Sequence, residues 1–262
     1  MRIGIVGYGN MGEALAVGLA AADPSTSLVI YEKLESRRKA AGERAGIIVA
    51  ASLSELCASA ELLVIAVKPQ SLGGLAPELK AFTRGKRVIS IVAGTPIAYF
   101  QRELATEQVV RFMPNLAAKV GRAAVGVSFP SSPSADFRTA ALSVASAIGT
   151  PFELPEELLA SITGLSGSGI AFALAFLHDL ALGGVRTGLA YPAALAIALE
   201  TVEGAALLVR KSGEHPISLL SKVTSPAGTT IEGLRALEGS GFAAGVMDAV
   251  TRACERAREL EG

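Results

Sequence analysis

The sequence predicts an α/β protein in which an N-terminal Rossmann-type, doubly wound, mostly parallel sheet is followed by an all-helical C-terminal domain. Three observations predict this fold. A G-x-G-x-x-G segment follows an apolar run at the start of the chain, Val- and Ile-rich runs then alternate with helical stretches, and strand signals stop near Pro155. Runs apolar on both faces indicate strands that helices cover on two sides. We therefore expect one domain over residues 1–154 and a second over residues 155–262.

The first domain is predicted from its βαβ alternation, which is typical of parallel sheets. The predicted strands are residues 2–6, 27–31, 61–67, 87–92, 109–113, 123–128 and 151–154. The predicted helices are residues 10–22, 35–45, 53–58, 72–82, 96–104 and 135–147.

The second domain is predicted from long apolar, Ala-rich stretches at residues 170–189, 192–211 and 243–260. These stretches are apolar around much of their circumference, so each helix must pack on several neighbours. Only 18% of the chain is charged, against about 25% in an average globular protein. We therefore expect this half to bury surface against a second subunit.

Composition narrows the range of partners. Lys and Arg together number 24, as do Asp and Glu, which gives no reason to expect nucleic acid or an anionic membrane as partner. Cys57 and Cys254 lie far apart, without metal-ligand spacing, which predicts no metal site and a reducing compartment. The longest apolar run, residues 166–182, contains His178 and Asp179. With no signal-like segment before the first strand, we expect a cytoplasmic protein without a membrane span.

The glycine-rich segment Gly7-Tyr8-Gly9-Asn10-Met11-Gly12 predicts a dinucleotide site. Gly7 permits the tight turn, Gly9 lets a pyrophosphate approach the backbone, and Gly12 lets the helix pack against the strand. Asn10 and Met11 open a helix whose free N–H groups and dipole favour phosphate. The alternative is a merely structural turn, which the position between two strands disfavours.

Glu32 and its neighbours bear on which dinucleotide is bound. Glu32 ends the second predicted strand, where an acid accepts hydrogen bonds from the adenosine ribose and repels a 2′-phosphate. We therefore expect NAD(H) or NADP(H), with a lean to NAD(H) and with Lys33 also at the cofactor. Lys33, Arg37 and Arg38 are the alternative, because they could hold the 2′-phosphate. Glu32 and Lys33 could also form a solvated loop.

Two further strand ends are expected at the cofactor edge of the sheet, because ligands bind at the carboxyl ends of parallel strands. The expected cofactor-binding residues there are Ala66, Val67, Lys68 and Pro69 in "AVKPQ", and Met113, Pro114 and Asn115 in "RFMPN". Lys68 is interpreted as part of a turn that shapes the cofactor site rather than as a catalytic lysine.

Two later motifs, "SGSGIAF" from Ser166 and "VTSPAGTTIEGLRALE" from Val223, complete a pattern that resembles the pyrroline-5-carboxylate reductase family. The resemblance extends over essentially the whole chain, and the segment from Ser225 to Glu238 is its most specific part. It implies NAD(P)H-dependent reduction of L-1-pyrroline-5-carboxylate to L-proline in proline biosynthesis. It also implies a homodimer through the helical domain, and dimers that assemble further, commonly to a homodecamer.

The chain's chemistry agrees with this resemblance. It has two His and no Ser-His-Asp arrangement. A protonated imine already accepts hydride, so its reduction needs positioning more than acid–base groups. A carbonyl would require a placed proton donor.

The loop from Ser225 to Thr230 offers backbone N–H groups and two hydroxyls at a helix start, which suits a carboxylate. Its alternative is an ordinary N-cap by Thr229 or Thr230. The resemblance favours substrate binding, with catalytic roles for Thr230, at the imine nitrogen, and for Ser168. It implies a substrate-binding set of Ser166, Gly167, Ser225, Ala227, Gly228, Thr229 and Thr230.

Several residues depart from the family pattern and bear on the substrate. They are Leu116 and Ala117 after Asn115, Ile170, Ala171 and Phe172 after the Ser-Gly-Ser stretch, His178 and Leu182 in the long helix, and Ala227 in place of a glycine. A related cyclic imine or ketimine reductase and a non-catalytic dinucleotide-binding sensor are therefore the alternatives. A β-hydroxy acid dehydrogenase is disfavoured because residues 166–179 contain no lysine. His178 is interpreted as a core or interface residue.

Overall fold

The computed structural model describes residues 1–260; residues 261 and 262, the end of the predicted second domain, lie outside the described part. The chain divides into two compact units. Unit 1 comprises Met1–Ser168 together with the chain from Thr251 onward, and unit 2 comprises Gly169–Val250. The expected domain boundary between residues 154 and 155 falls before this division and stays a prediction.

Unit 1 contains an eight-stranded sheet in the order β3-β2-β1-β4-β5-β6-β7-β8. The strands are β1 (Arg2–Val6), β2 (Ser27–Tyr31), β3 (Ile47–Val49), β4 (Leu62–Ile65), β5 (Arg87–Ser90), β6 (Val109–Met113), β7 (Ala123–Ser128) and β8 (Gly149–Glu153). All neighbours pair in parallel except β6 and β7. The chain order reverses beside β1, which pairs with both β2 and β4, so a ligand crevice is expected at the carboxyl ends of β1 and β4.

Seven α-helices of unit 1 connect and cover these strands. They are α1 (Asn10–Ala22), α2 (Glu35–Gly42), α3 (Leu53–Ser59), α4 (Pro69–Thr83), α5 (Ile97–Leu104), α6 (Ala135–Ile148) and α7 (Leu159–Ile162). Ser52 and Ser134 cap α3 and α6 by accepting from the backbone N–H groups of Glu55 and Phe137. These two helices therefore begin where the sequence predicts, since serine is a favoured N-cap.

Alternate residues of the strands supply two separate cores, as expected for a sheet covered on both faces. On β4, Leu62 and Val64 pack with residues of α1 and α6. Leu63 and Ile65 pack instead with residues of α3, α4 and α5. The sheet is therefore doubly wound, which confirms the predicted fold class.

Unit 2 is helical. It contains α8 (Gly169–Arg186), α9 (Tyr191–Ser212), α10 (Pro216–Lys222), α11 (Thr229–Gly239) and the first part of α12 (Phe242–Glu259). Large apolar side chains stay exposed in the single chain, among them Leu174, Ile197, Leu208 and Met247. Its buried apolar cluster is small and built around Ala181, Ala194 and Ala198. Unit 2 thus lacks a large core of its own within the described residues.

Two helical stretches, Glu156–Arg186 and Tyr191–Ser212, are long and apolar enough to cross a membrane by length and composition. The expectation of a protein without a membrane span stays a prediction. Length and composition are weak evidence for a span, because helices that bury their apolar faces against protein have the same composition.

Among the differences from the sequence expectation are those at β3, at the end of β4 and at α10. β3 was not predicted because it has only three residues, one of them exposed. The fourth strand ends at Ile65, so Ala66 and Val67 lie in the loop that follows it. α10 was not predicted, because a helix of seven residues carries too little pattern.

Candidate active site

The turn between β1 and α1 is held tightly at the carboxyl edge of the sheet. The Gly7 N–H donates to the Tyr31 carbonyl at 2.8 Å, and the Ala66 N–H donates to the Val6 carbonyl at 2.8 Å. Gly7 has a φ of +97°. A Cβ at this residue would also lie 2.7 Å from the Ala66 carbonyl oxygen. Both the backbone conformation and the lack of space therefore require glycine at this position.

Gly9 and Gly12 meet different surroundings. A Cβ on Gly12 would overlap the Gly7 carbonyl oxygen, so α1 can begin this close to β1 only with glycine there. A Cβ on Gly9 would meet nothing closer than the Arg37 guanidinium, 3.4 Å away. The protein itself therefore tolerates a side chain at residue 9, and the open space beside it fits a pyrophosphate approaching the start of α1.

Asn10 and Met11 form the first turn of α1, whose N-cap is Gly9 and which has no side-chain cap. Glu13 fixes the helix laterally, since its carboxylate accepts from Arg44 at 2.6 Å and from Lys119 at 3.0 Å. These hydrogen bonds, the Lys119 bond foremost, lower the pKa of Glu13. The first N–H groups of α1 have no side-chain cap, which suits the binding of an anion.

Glu32 is buried, and both of its carboxylate oxygens bind backbone. Oε2 accepts from the Tyr8 N–H at 2.7 Å, and Oε1 accepts from the Leu34 N–H at 2.9 Å. The carboxylate therefore ties the glycine-rich turn to the loop after β2. Lys33, beside it, is exposed and lies 3.8 Å from Glu78.

The loop after β4 approaches the glycine-rich turn through its backbone. Ala66 and Val67 are half-buried there, and Lys68 is the exposed N-cap of α4, with Pro69 as the first helical residue. The Lys68 carbonyl accepts from the Ser71 N–H at 2.9 Å. This geometry agrees with a turn that shapes a ligand site through its backbone.

Asn115 connects the end of β6 to the Ser-Gly-Ser segment. Met113 and Pro114 lead to Asn115, whose side-chain oxygen accepts from the Ala117 N–H and caps the short 3₁₀ helix Leu116–Val120. Its amide nitrogen donates to the Ser166 hydroxyl at 2.9 Å. An expected cofactor residue and an expected substrate residue are thus brought into direct contact.

The Ser-Gly-Ser segment lies in a π-helical turn, Thr163–Gly167, that continues from α7. The Ser168 N–H donates to the Thr163 carbonyl at 2.8 Å. π-Turns inside helices frequently occur at functional sites. Ser166 and Gly167 are half-buried within it, and Ser168, its half-buried C-cap, follows directly. Sequence reasoning missed this turn, because its composition equals that of an ordinary helix start.

In unit 2, the loop from Ser225 to Thr230 is a turn closed by the Gly228 N–H, which donates to the Ser225 carbonyl at 3.1 Å. A Cβ on Gly228 would overlap the Ser225 hydroxyl. Ala227 has a φ of +55°, the left-handed region that favours glycine. The departure from glycine at this position therefore leaves strained backbone in the loop.

The helix that follows this loop, α11, has Gly228 as N-cap and no side-chain cap. Neither Thr229 nor Thr230 is therefore an N-cap, which contradicts the ordinary reading of this loop. Thr229 is exposed and Thr230 half-buried, and both stand in the first turn. Their hydroxyls and the first N–H groups of α11 have the chemistry of a carboxylate site.

The two histidines have local partners. His178 Nδ1 lies 3.0 Å from the Tyr191 hydroxyl, and His215 caps α10 by accepting from the Ile217 N–H. No three His, Cys, Asp or Glu side chains in residues 1–260 are grouped as metal ligands.

Comparisons with known proteins match the whole chain. A family model described as pyrroline-5-carboxylate reductase dimerisation matches residues 156–260, and one described as NADP oxidoreductase coenzyme F420-dependent matches residues 2–94. The pyrroline-5-carboxylate reductase of Methanosarcina acetivorans is 40% identical, covering 99% of this chain and 97% of its own. That of Aquifex aeolicus is 36% identical with the same coverage.

Solved structures of pyrroline-5-carboxylate reductases are also similar to this chain. The Plasmodium falciparum pyrroline carboxylate reductase with NADP bound has a TM-score of 0.91 and 28% identity, covering 100% of this chain and 98% of its own. The 1-pyrroline-5-carboxylate reductase of Streptococcus pyogenes has a TM-score of 0.88 and 27% identity, covering 99% and 98%.

Gly9 and Gly12 provide a matched pair of alanine substitutions. We expect Gly9→Ala to raise the Kd for NAD(P)H by about tenfold or more, because its methyl group occupies ligand space, while the melting temperature hardly changes. Gly12→Ala should instead lower the free energy of unfolding by about 1–3 kcal/mol or more, because its methyl group overlaps backbone. Fluorescence titration and thermal melts measure the two effects. Unchanged cofactor affinity in Gly9→Ala would mean that the loop is only a turn.

Ala227→Gly should stabilise the protein by about 0.5–1 kcal/mol. Glycine removes the left-handed strain of about 1–2 kcal/mol but costs some chain entropy on folding. Urea unfolding measures the difference, with Ala236→Gly, inside α11, as a control that should destabilise by about 1 kcal/mol. A loss of stability in Ala227→Gly would contradict the strained geometry.

Proposed function

The chain belongs to the pyrroline-5-carboxylate reductase family, and we propose that its glycine-rich turn and its Ser225–Thr230 loop bind the two reactants. The activity is reduction of L-1-pyrroline-5-carboxylate to L-proline with a nicotinamide dinucleotide. The uncapped start of α11 carries the assignment of the substrate loop. In the described structure no side chain caps the start of this helix, where its first N–H groups and the hydroxyls of Thr229 and Thr230 lie.

The cofactor side fits a dinucleotide. Gly9 leaves the space that a pyrophosphate needs, and α1 offers free N–H groups there. When bound, the reduced nicotinamide supplies a hydride to the imine carbon. Ala66, Lys68 and Asn115, at the ends of β4 and β6, would shape the side of the site along which the cofactor extends.

The substrate side needs to hold an anion and orient a C=N bond. In our proposal the N–H groups at Thr229 and Thr230 bind the substrate carboxylate, and the Thr230 hydroxyl bonds the imine nitrogen. The imine nitrogen is protonated before the hydride arrives, so the carbon gains the hydride, the C=N π electrons move to the nitrogen, and that nitrogen becomes the ring amine of L-proline. Ser166 stays a proposed substrate-binding residue, oriented by Asn115, and Ser168 stays a proposed catalytic residue.

The choice between NADH and NADPH stays a prediction. The lean to NAD(H) assumes that Glu32 presents its carboxylate to the ribose. Each oxygen of that carboxylate already accepts from a backbone N–H. This geometry weakens the reason for expecting NAD(H) rather than NADP(H).

A related cyclic imine reductase is the second candidate function. The observation that favours it is the His178–Tyr191 hydrogen bond, because it places a histidine where the family usually has an acid. Initial rates with pyrroline-5-carboxylate and with six-membered and thiazoline imines, each with NADH and NADPH, distinguish the two. A preference for a larger ring would overturn the proposed substrate.

Thr230→Val keeps the shape of the side chain and removes its hydroxyl. We expect kcat/KM for pyrroline-5-carboxylate to fall about tenfold to a hundredfold, as for a lost hydrogen bond of on the order of 1–3 kcal/mol to a charged partner. NAD(P)H affinity should hardly change. Thr229→Val is the control for general damage to α11, and it should have a smaller effect. Full activity in Thr230→Val would exclude the hydroxyl from the reaction.

The helical unit carries the dimerisation region of the family. We propose a cytoplasmic homodimer through this unit, with assembly of dimers to a decamer, and without nucleic acid or membrane partners. The support is the exposed apolar surface of α8 and α9, which a second copy would cover.

Light scattering tests the assembly. The wild-type protein should have at least twice the mass of one chain, and Leu208→Glu, on α9, should reduce it. Ile48→Glu is a matched control, since Ile48 is 56% and Leu208 59% exposed but Ile48 lies on β3 of the sheet. A monomeric wild-type protein would contradict the proposed dimer.

A further inference from the structure

A buried arginine connects β6 to the segment that carries the Ser-Gly-Ser turn. Arg111, on β6, is 3% exposed, and its guanidinium Nη1 donates to Glu156 Oε1 at 2.8 Å. Taking an ion pair out of water costs free energy that the pair rarely returns, so apolar residues of similar volume would stabilise the fold as well. The contact is therefore better explained by what it positions than by the stability that it provides.

Glu156 makes a second contact with the same oxygen. Its Oε1 also accepts from the backbone N–H of Ile97, the first residue of α5, at 2.8 Å. The N-cap of that helix, Pro96, supplies no side-chain cap, and the helix dipole favours an acid at this end. One carboxylate oxygen thus joins β6, the start of α5 and the 3₁₀ turn Glu156–Leu158.

The chain leads from Glu156 directly to the Ser-Gly-Ser turn. The 3₁₀ turn is followed by α7 and then by the π-helical turn Thr163–Gly167. On β7, a Cβ at Gly126 would lie 3.0 Å from side-chain atoms of both Leu159 and Ile162. The missing side chain at Gly126 therefore lets α7 pack closely on the sheet, and the π-helical turn begins from a helix whose place is fixed.

Two contacts consequently hold residues 156–168 against the end of β6. Glu156 accepts from Arg111 where the segment begins, and Ser166 accepts from Asn115 near its end. Arg111 lies on β6 and Asn115 in the loop that follows this strand. Both contacts therefore depend on the position of one strand end, and a shift at Glu156 would move the turn relative to Asn115.

We propose that Glu156 is a positioning residue for the reduction of the imine. Its contacts with β6 and α5 fix the turn that carries Ser166 and Ser168. This inference rests on the proposed function of that turn and deepens it. Orientation raises the rate only while the reacting groups are held close to the productive geometry. Loss of the Glu156 contacts should therefore lower kcat more than it changes the KM for the substrate.

Hydrogen exchange of the full-length protein tests these contacts without catalysis. In Glu156→Ala, the backbone amides of residues 163–168 should exchange about tenfold faster than in the wild-type protein, because the turn is less firmly held. Glu157→Ala is the matched control, since Glu157 is the adjacent acid of the same 3₁₀ turn and is exposed. Its exchange should stay within about twofold of wild type, as for most surface substitutions. Unchanged exchange in β1 verifies that each variant is folded.

Steady-state kinetics test the consequence for the reaction. In Glu156→Ala, kcat with pyrroline-5-carboxylate should fall about tenfold, whereas its KM should change less than about threefold. Rates are measured well below the melting temperature of each variant, so that lost stability alone leaves kcat unchanged. Glu156→Gln keeps an oxygen that can accept from Arg111 and from Ile97. It should restore kcat to within about threefold of wild type, because those hydrogen bonds persist.

Four results would overturn the proposal. They are unchanged exchange of residues 163–168 in Glu156→Ala, a raised KM with unchanged kcat in that variant, an equal loss of kcat in Glu157→Ala, and a Glu156→Gln variant as slow as Glu156→Ala. Absence of imine reduction in the wild-type protein would instead contradict the proposed function. The exchange comparison would then still test whether Glu156 holds the turn.

Discussion

The close approach of the β1–α1 turn to the ends of β2 and β4 is the constraint on which the rest of unit 1 depends. Gly7 must adopt a positive φ, and Gly12 must leave room for the Gly7 carbonyl oxygen. With both satisfied, α1 starts directly above the point where the strand order reverses. The free N–H groups of that helix then face the crevice in which parallel α/β sheets bind ligands.

Glu32 shows how a buried carboxylate can serve structure where the sequence suggests ligand binding. Taking a carboxylate out of water is costly unless it is hydrogen-bonded, and the Tyr8 and Leu34 N–H groups satisfy it. The same two bonds join the first and second βα loops. The position of an acid in the sequence therefore does not by itself define the cofactor.

The sequence predicts the fold well because its signals are local. Strand runs, serine caps and glycine spacing each act over a few residues, and β1, α1 and β2 have the predicted bounds. β3 was not predicted, because a strand of three residues is too short to show an alternating or apolar pattern. Likewise, the π-turn at Thr163–Gly167 and the Asn115–Ser166 bond depend on tertiary packing, which no run of residues encodes. The candidate residues could thus be identified from sequence, but their partners could not.

The proposed substrate loop, Ser225–Thr230, also depends on backbone chemistry more than on reactive side chains. Ser225 and Gly228 close a turn, Ala227 accepts strain within it, and α11 begins without a side-chain cap. Filling that first turn with a capping hydroxyl would stabilise the helix but would occupy the groups that an anion needs. An uncapped helix start beside strained backbone lowers the stability of the fold, as expected where those backbone groups bind a ligand instead.

The start of α1 has the same arrangement, because Gly9 is its N-cap and contributes no side chain to compete with phosphate. In the proposed function, both reactants are held mainly by helix N-termini. Such binding would let a chain with two histidines, and no grouped metal ligands in its described part, position an imine for hydride transfer.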